Sequence, residues 1–233
     1  MFHRAFIAVV AAAASVLAIM AVGATPAAAS PAPPPAAPPG LTGEVLTMTQ
    51  PNQDGTTVDC VDGTRAGSAS FAGSGFATGP YPGTFTVNGM VNTTMDASGT
   101  VSGTFDETFT ITSPAGTVTG TKSGALPADT SICIGSNFAA DNAMLRYQAT
   151  IATAEGNFVD SGASQALLEI NTFGGRHEVI FGETFSSQGV VPIVPTSKEQ
   201  CKDGGWMNFP QFKNQGDCVS FVATGGKNPP NGS

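Results

Sequence analysis

Between Val101 and Ile111 the side chains alternate in character from one residue to the next. Val101, Phe105, Phe109 and Ile111 fall on one face of an extended chain, and Ser102, Thr104, Asp106, Thr108 and Thr110 fall on the other. Only a strand, whose side chains point to opposite faces with period two, sorts residues this way. Leu145, Tyr147, Ala149 and Ile151 stand against Met144, Arg146, Gln148 and Thr150 in the same rhythm. One face is apolar and the other polar, as in an antiparallel sheet that is buried on one side and wet on the other.

Further strands are expected near 43–49, 66–77, 83–91, 116–122, 164–172 and 176–185. They are separated by Gly/Pro/Asn/Asp turn signals at 79–83, 96–99, 113–116, 155–157 and 174–175. Eight to ten short strands on one core predict a mainly β fold, either an antiparallel β sandwich or an up-and-down barrel. Helical periodicity is confined to one turn near Phe138–Ala143 and to the C-terminal segment.

The flanks differ from this domain in composition. Residues 1–29 combine a short basic start containing Arg4 with an apolar run and end in Ala27, Ala28 and Ala29, which reads as a signal peptide cleaved after Ala29. An uncleaved membrane anchor is the alternative, since 5–24 is long enough to cross a bilayer. Residues 30–40 are a Pro/Ala-rich linker, in which fixed φ angles and missing N–H donors favour polyproline II. The β domain is placed at 41–189, a second Pro-containing linker at 190–196, a disulfide-closed aromatic hairpin at 197–226, and a disordered tail at 227–233. The predicted location is secreted, outside the cell.

In the hairpin, Ser197 and Gln200 have capping-box spacing for a short helix over 198–203. Asn214 is placed to cap a second helix carrying Cys218, Phe221 and Val222, ended by Gly225 and Gly226. Cys60, Cys133, Cys201 and Cys218 are an even set, which in an oxidising compartment reads as two disulfides. Of three possible pairings, Cys60–Cys133 and Cys201–Cys218 are favoured because each lies within one structural unit. Trp206, the only tryptophan, crowds with Phe209, Phe212 and Phe221 in a segment too small to cover them all. Packing on one another and on an edge of the β domain is one reading. The other is an exposed binding platform of Trp206, Phe209, Phe212 and Lys213.

The stretches 77–85, 108–122 and 147–151, with a tail of the form QCKxGGWxxFxxFKNQGDCVSF at 200–221, resemble a group of secreted β-rich proteins of high-GC bacteria. The resemblance implies export and a β-rich fold and carries over no catalytic residue.

Charge and chemistry narrow the function. Nine Lys/Arg stand against seventeen Asp/Glu, so nucleic acid and anionic membranes, which bind clustered cations, are unsuited partners. No Cys-x-x-Cys or Cys/His cluster offers a metal site, and no cofactor is expected. Asp54, Asp59 and Asp62 miss the spacing of a calcium loop and read as a solvated acidic loop. His177 lacks the second histidine of a zinc-protease motif, and no G-x-S-x-G occurs. Glu107 shares the apolar face of its strand, and Glu183 shares a face with His177, Val179 and Phe181. A buried carboxylate pair of this kind suits acid–base hydrolysis if the two meet.

The reading is a secreted non-enzymatic module that binds the cell envelope or another extracellular surface, its partner a cell-wall glycan or a surface protein. A small apolar-ligand carrier, with a cavity lined by Phe71, Phe85, Phe105 and Tyr147, and a carboxylate-dependent hydrolase are the alternatives.

Overall fold

The computed structural model describes residues 38–52, 56–61, 64–128, 130–132, 137–173, 176–228 and 230, with the side chains of 137–142, 171–173 and 176–178 excepted. The expected signal peptide, most of the Pro/Ala linker, Cys133 and the side chain of His177 lie outside what is described.

The chain forms β1 (Val45–Pro51), β2 (Thr57–Cys60), β3 (Gly67–Thr78), β4 (Gly83–Met95), β5 (Val101–Ser113), β6 (Gly116–Leu126), β7 (Asn137–Thr153), β8 (Gly156–Phe173), β9 (Arg176–Pro192) and a helix α1 (Gln215–Ala223). From β3 to β9 each strand pairs antiparallel with the next. β1 pairs with the end of β3 on one side and with β9 on the other, Val45 facing both Thr78 and Thr184, so the sheet closes on itself. β2 continues β1 along the same edge of β3, Thr57 facing Ser70. The fold is therefore a closed antiparallel meander, the barrel of the two expected architectures, and closure removes the unpaired edges that an open sheet exposes.

The expected helical turn near Phe138–Ala143 is instead part of β7, where the pairing to β8 shifts between Ala140 and Ala143. The irregularity at this bulge breaks the period-two pattern that a regular strand would show.

Aromatic rings fill the barrel, and glycines make room for them. Phe71 faces Gly89, Phe85 faces Gly75, Phe109 faces Gly120 and Tyr147 faces Gly162 across neighbouring strands, all pointing inward. A Cβ on Gly120 would stand 2.5 Å from the Phe109 ring, and one on Gly162 would stand 2.9 Å from Tyr147. Ring laid over glycine is a known way to fill a sheet position that has no side chain of its own. The rings then meet each other, Phe71 with Phe105 at 5.5 Å between centroids, Phe109 with Phe185 at 5.3 Å and Tyr147 with Phe185 at 5.1 Å.

Residues 38–44 close the end of the barrel beside the start of β1. Leu41 is buried in the main core, and its N–H donates to Asp160 Oδ2 at 2.8 Å. Buried Asp160 also accepts from the Tyr147 hydroxyl (3.0 Å) and the Ser187 hydroxyl (2.6 Å). Glu44 Oε2 accepts from the Tyr81 N–H at 2.8 Å, and the Tyr81 hydroxyl donates to the Pro39 carbonyl at 2.6 Å. Burial first, then the Asp160 and Glu44 charges, push the Tyr81 hydroxyl up to about 12, which keeps it a donor. Asp160 is thus partnered through both oxygens, as a buried charge requires, whereas among the described residues Glu44 is bonded through Oε2 alone and burial raises its carboxyl against the pull of the Tyr81 N–H.

Beyond β9 the chain builds a second, smaller core. Cys201 and Cys218 form a disulfide with a sequence separation of 17, a loop worth about 3 kcal/mol on the chain-entropy model. Phe209, Phe212 and the disulfide are buried together, with Ile193, Trp206, Phe221 and Val222 packed against them. Cys60 is also disulfide-bonded. Asn214 Oδ1 accepts from the Asp217 N–H at 2.9 Å and caps α1. At its other end the Gly226 N–H bonds the Phe221 carbonyl and the Gly225 N–H the Val222 carbonyl, both glycines having positive φ. The Ser197/Gln200 pair does close on itself, Gln200 Oε1 accepting from the Ser197 N–H at 3.0 Å, but it starts a 3₁₀ turn over Glu199–Cys201 rather than a longer helix. Lys202 is already extended and Asp203 takes φ 51°, which ends the turn. Among the described residues no helix is long and apolar enough to cross a membrane.

Candidate functional site

The predicted platform in the tail is only partly available. Phe209 and Phe212 are buried, not exposed, because the tail must make its core from its own few apolar residues, and these two, with the disulfide, are that core. Phe212 meets Phe209 and Phe221 edge to face. Trp206 is half-buried and Lys213 exposed, with Met207 65% exposed beside the tryptophan. Asn157 at the start of β8 donates to the Asn208 carbonyl at 3.4 Å and so ties the tail to the barrel, and Gln211 donates to the carbonyl of Ile193, just past β9, at 2.9 Å.

Among the described residues the barrel interior holds a buried ion cluster. Phe71, Phe85, Phe105 and Tyr147, expected to line a cavity, are packed ring to ring in the core. Among them Glu107 from β5 and Glu183 from β9 converge on Lys122 from β6. Lys122 Nζ lies 2.6 Å from Glu107 Oε1 and donates to Glu183 Oε2, and all three side chains are wholly inaccessible. The ammonium also sits over the rings of Phe109, Phe185 and Phe181 at 4.9, 5.1 and 5.5 Å. Burial, then the neighbouring Glu183 charge, pushes Glu107 up to about 8 against the pull of Lys122. Burial likewise raises Glu183, with Lys122 and the Ser164 hydroxyl acting in the opposite sense.

The two glutamates that the alternation places inward thus do meet, but through Lys122, a residue outside the expected site. The signal was present: Val118, Gly120, Lys122, Gly124 and Leu126 share one face of β6.

The outer face carries a different order. β4, β5 and β6 run side by side with Thr84, Thr112 and Thr117 in one cross-strand row, Thr86, Thr110 and Thr119 in the next, and Asn88, Thr108 and Thr121 in the third. β7 extends the rows with Ala152, Thr150 and Gln148. Eight threonines and one asparagine thus occupy nine adjacent positions, exposed except for the partly covered Thr110. Strand geometry spaces them about 4.8 Å across the strands and about 6.8 Å along them. None of the nine is charged. Asp59 is exposed, whereas Asp54 and Asp62 lie outside the described residues.

No protein-family model matches the chain, no curated protein matches it, and no solved structure matches it.

Proposed function

We propose that the protein is an exported, non-catalytic barrel that holds to a neutral, hydroxyl-rich polysaccharide surface through the threonine array on β4, β5 and β6. The observation that carries this reading is the array itself: nine uncharged positions in register, each threonine offering a hydroxyl and a methyl group. A repeating polymer presents hydroxyls and C–H faces in rows, and many weak contacts in register add without any one being strong. The acidic balance of the chain and the absence of charge from the array favour a neutral glycan over an anionic polymer.

Export is supported by the leader-like first 29 residues together with the disulfides. Two observations favour this reading over its alternatives: among the described residues the rings that would wall a carrier's cavity pack against one another, and the Glu107 and Glu183 side chains that a hydrolase would use are buried from solvent.

Co-sedimentation of the mature protein with insoluble neutral glycans tests the proposal. The double substitution Thr110→Lys with Thr119→Lys lowers affinity about tenfold, a loss of about 1.4 kcal/mol. As surface changes they leave thermal stability within about 0.5 kcal/mol of the parent. Undiminished binding by this variant contradicts the assignment of the array. Because the contacts are uncharged, raising the salt concentration leaves binding unchanged.

A further inference from the structure

The Lys122 cluster is unusual for a group with no access to substrate. A buried ion pair gains little net stability, and an apolar replacement of equal volume is often as good. Here two carboxyls and one amine are enclosed together, so one carboxyl has no cation of its own. Glu107 Oε2 finds no hydrogen-bond partner among the described residues. The geometry brings an amine against a carboxyl with a second carboxyl in contact with the same nitrogen, inside a water-excluding shell of Phe109, Phe181 and Phe185.

We infer that Lys122 and Glu183 become joined by an amide bond across the barrel interior, in a self-catalysed reaction in which Glu107 carries the proton. This goes beyond the surface-binding reading and does not depend on it.

The chemistry balances without a co-reactant. With the amine neutral and both carboxyls protonated, the cluster has the same proton count and the same net charge as one ion pair beside one neutral acid. Low polarity favours that neutral arrangement. The Lys122 nitrogen attacks the Glu183 carboxyl carbon to form the C–N bond. One oxygen of Glu107 takes the proton lost by the nitrogen, and its other oxygen gives a proton to the Glu183 hydroxyl. The C–O bond breaks and one water leaves, with Glu107 restored to its starting state and nothing oxidised or reduced. Holding the reacting groups in contact replaces a bimolecular encounter with a unimolecular step. Burial raises both carboxyls, which populates the protonated acids that the step needs.

Glu183 rather than Glu107 is the acceptor because the Lys122 nitrogen lies nearer to the Glu183 carboxyl, so that once the amine is neutral its lone pair has the shorter path to that carbon. Glu107 is the residue directly opposite Lys122 on the adjacent strand and touches the nitrogen from the side. The linkage ties β6 to β9, strands that are not sheet neighbours.

Intact mass spectrometry of the purified, folded mature chain tests this, followed by tryptic mapping. The expected mass is lower than that of the disulfide-bonded sequence by one molecule of water, with no cleavage after Lys122 and a branched peptide joining the segments that carry Lys122 and Glu183. The nearly isosteric Glu107→Gln variant has the unlinked mass and is cleaved after Lys122. A parent protein with the unlinked mass overturns the inference whatever the variant does, and a branch at Glu107 overturns the assignment of the acceptor.

Discussion

Glycine at position 120 is a packing residue, although composition alone would file it under loop-forming or flexible. Its missing side chain is the space that the Phe109 ring occupies, and Gly89 serves Phe71 in the same way. Gly120→Ala and Gly89→Ala should each destabilise the barrel by about 1–3 kcal/mol, the usual cost of overpacking a filled core; chemical denaturation checks both. Gly182 faces open space on the same barrel, so Gly182→Ala is the matched control and should have far less effect.

Glu107 makes a second prediction at this scale. Its carboxyl is held at about 8 against an ordinary 4.5, with burial the larger cause, so the folded chain keeps a proton that the unfolded chain releases between those values. That contribution is fully present below the unfolded value and is lost as pH rises through the window to about 8. Glu183 and Ser164 from the facing strands, Lys122 from the neighbouring one and the rings of Phe109, Phe181 and Phe185 are what surround it. Burial, the first cause, persists once Lys122 and Glu183 are joined, so thermal unfolding should show Tm falling by several degrees from about pH 5 to about pH 8, and Glu107→Gln, whatever its absolute Tm without the link, should show a smaller slope. The inward position of Glu107 was legible from alternation alone. Its partner was not, because β5 and β9 lie far apart in sequence and only barrel closure carries Glu183 to the same point.

At the level of elements, the strands were the legible part. Alternation in β5 and β7 and the turn residues between strands place most of the meander, whereas β2 is too short to show a period. The tail divides differently. The cap at Asn214 and the paired glycines after α1 follow from local hydrogen bonding, so sequence located them well. Burial of Phe209 and Phe212 depended on which ring the disulfide would cover, which local rules do not decide. Because the tail core is separate from the barrel core, Cys201→Ala with Cys218→Ala should unfold the tail while the barrel transition stays within a degree or two. Amide hydrogen exchange checks this, with protection lost after about residue 196 and kept in β3 to β9. Asn214→Ala should cost the tail about 1 kcal/mol by the same readout.

For the whole molecule, period-two patterning cannot separate a sandwich from a barrel, since both bury one face of every strand. The deciding fact is that β1 is short enough to share β3 with β2 and still reach β9. Closure has two functional consequences. It seals the Lys122, Glu107 and Glu183 cluster in the core, and it turns the threonine faces of β4, β5 and β6 outward in register. The sequence shows which residues face out but not which rows they form, so the array was invisible until the pairing was known. The account therefore rests on the outer surface being the working part of the molecule. The most direct test is co-sedimentation with insoluble neutral glycan of three forms side by side: the mature protein, the Thr110→Lys/Thr119→Lys variant, and a form lacking residues 196–233. Binding by the first and the third with loss in the second is the predicted result; retention by the array variant, or binding that vanishes only with the tail, would contradict it.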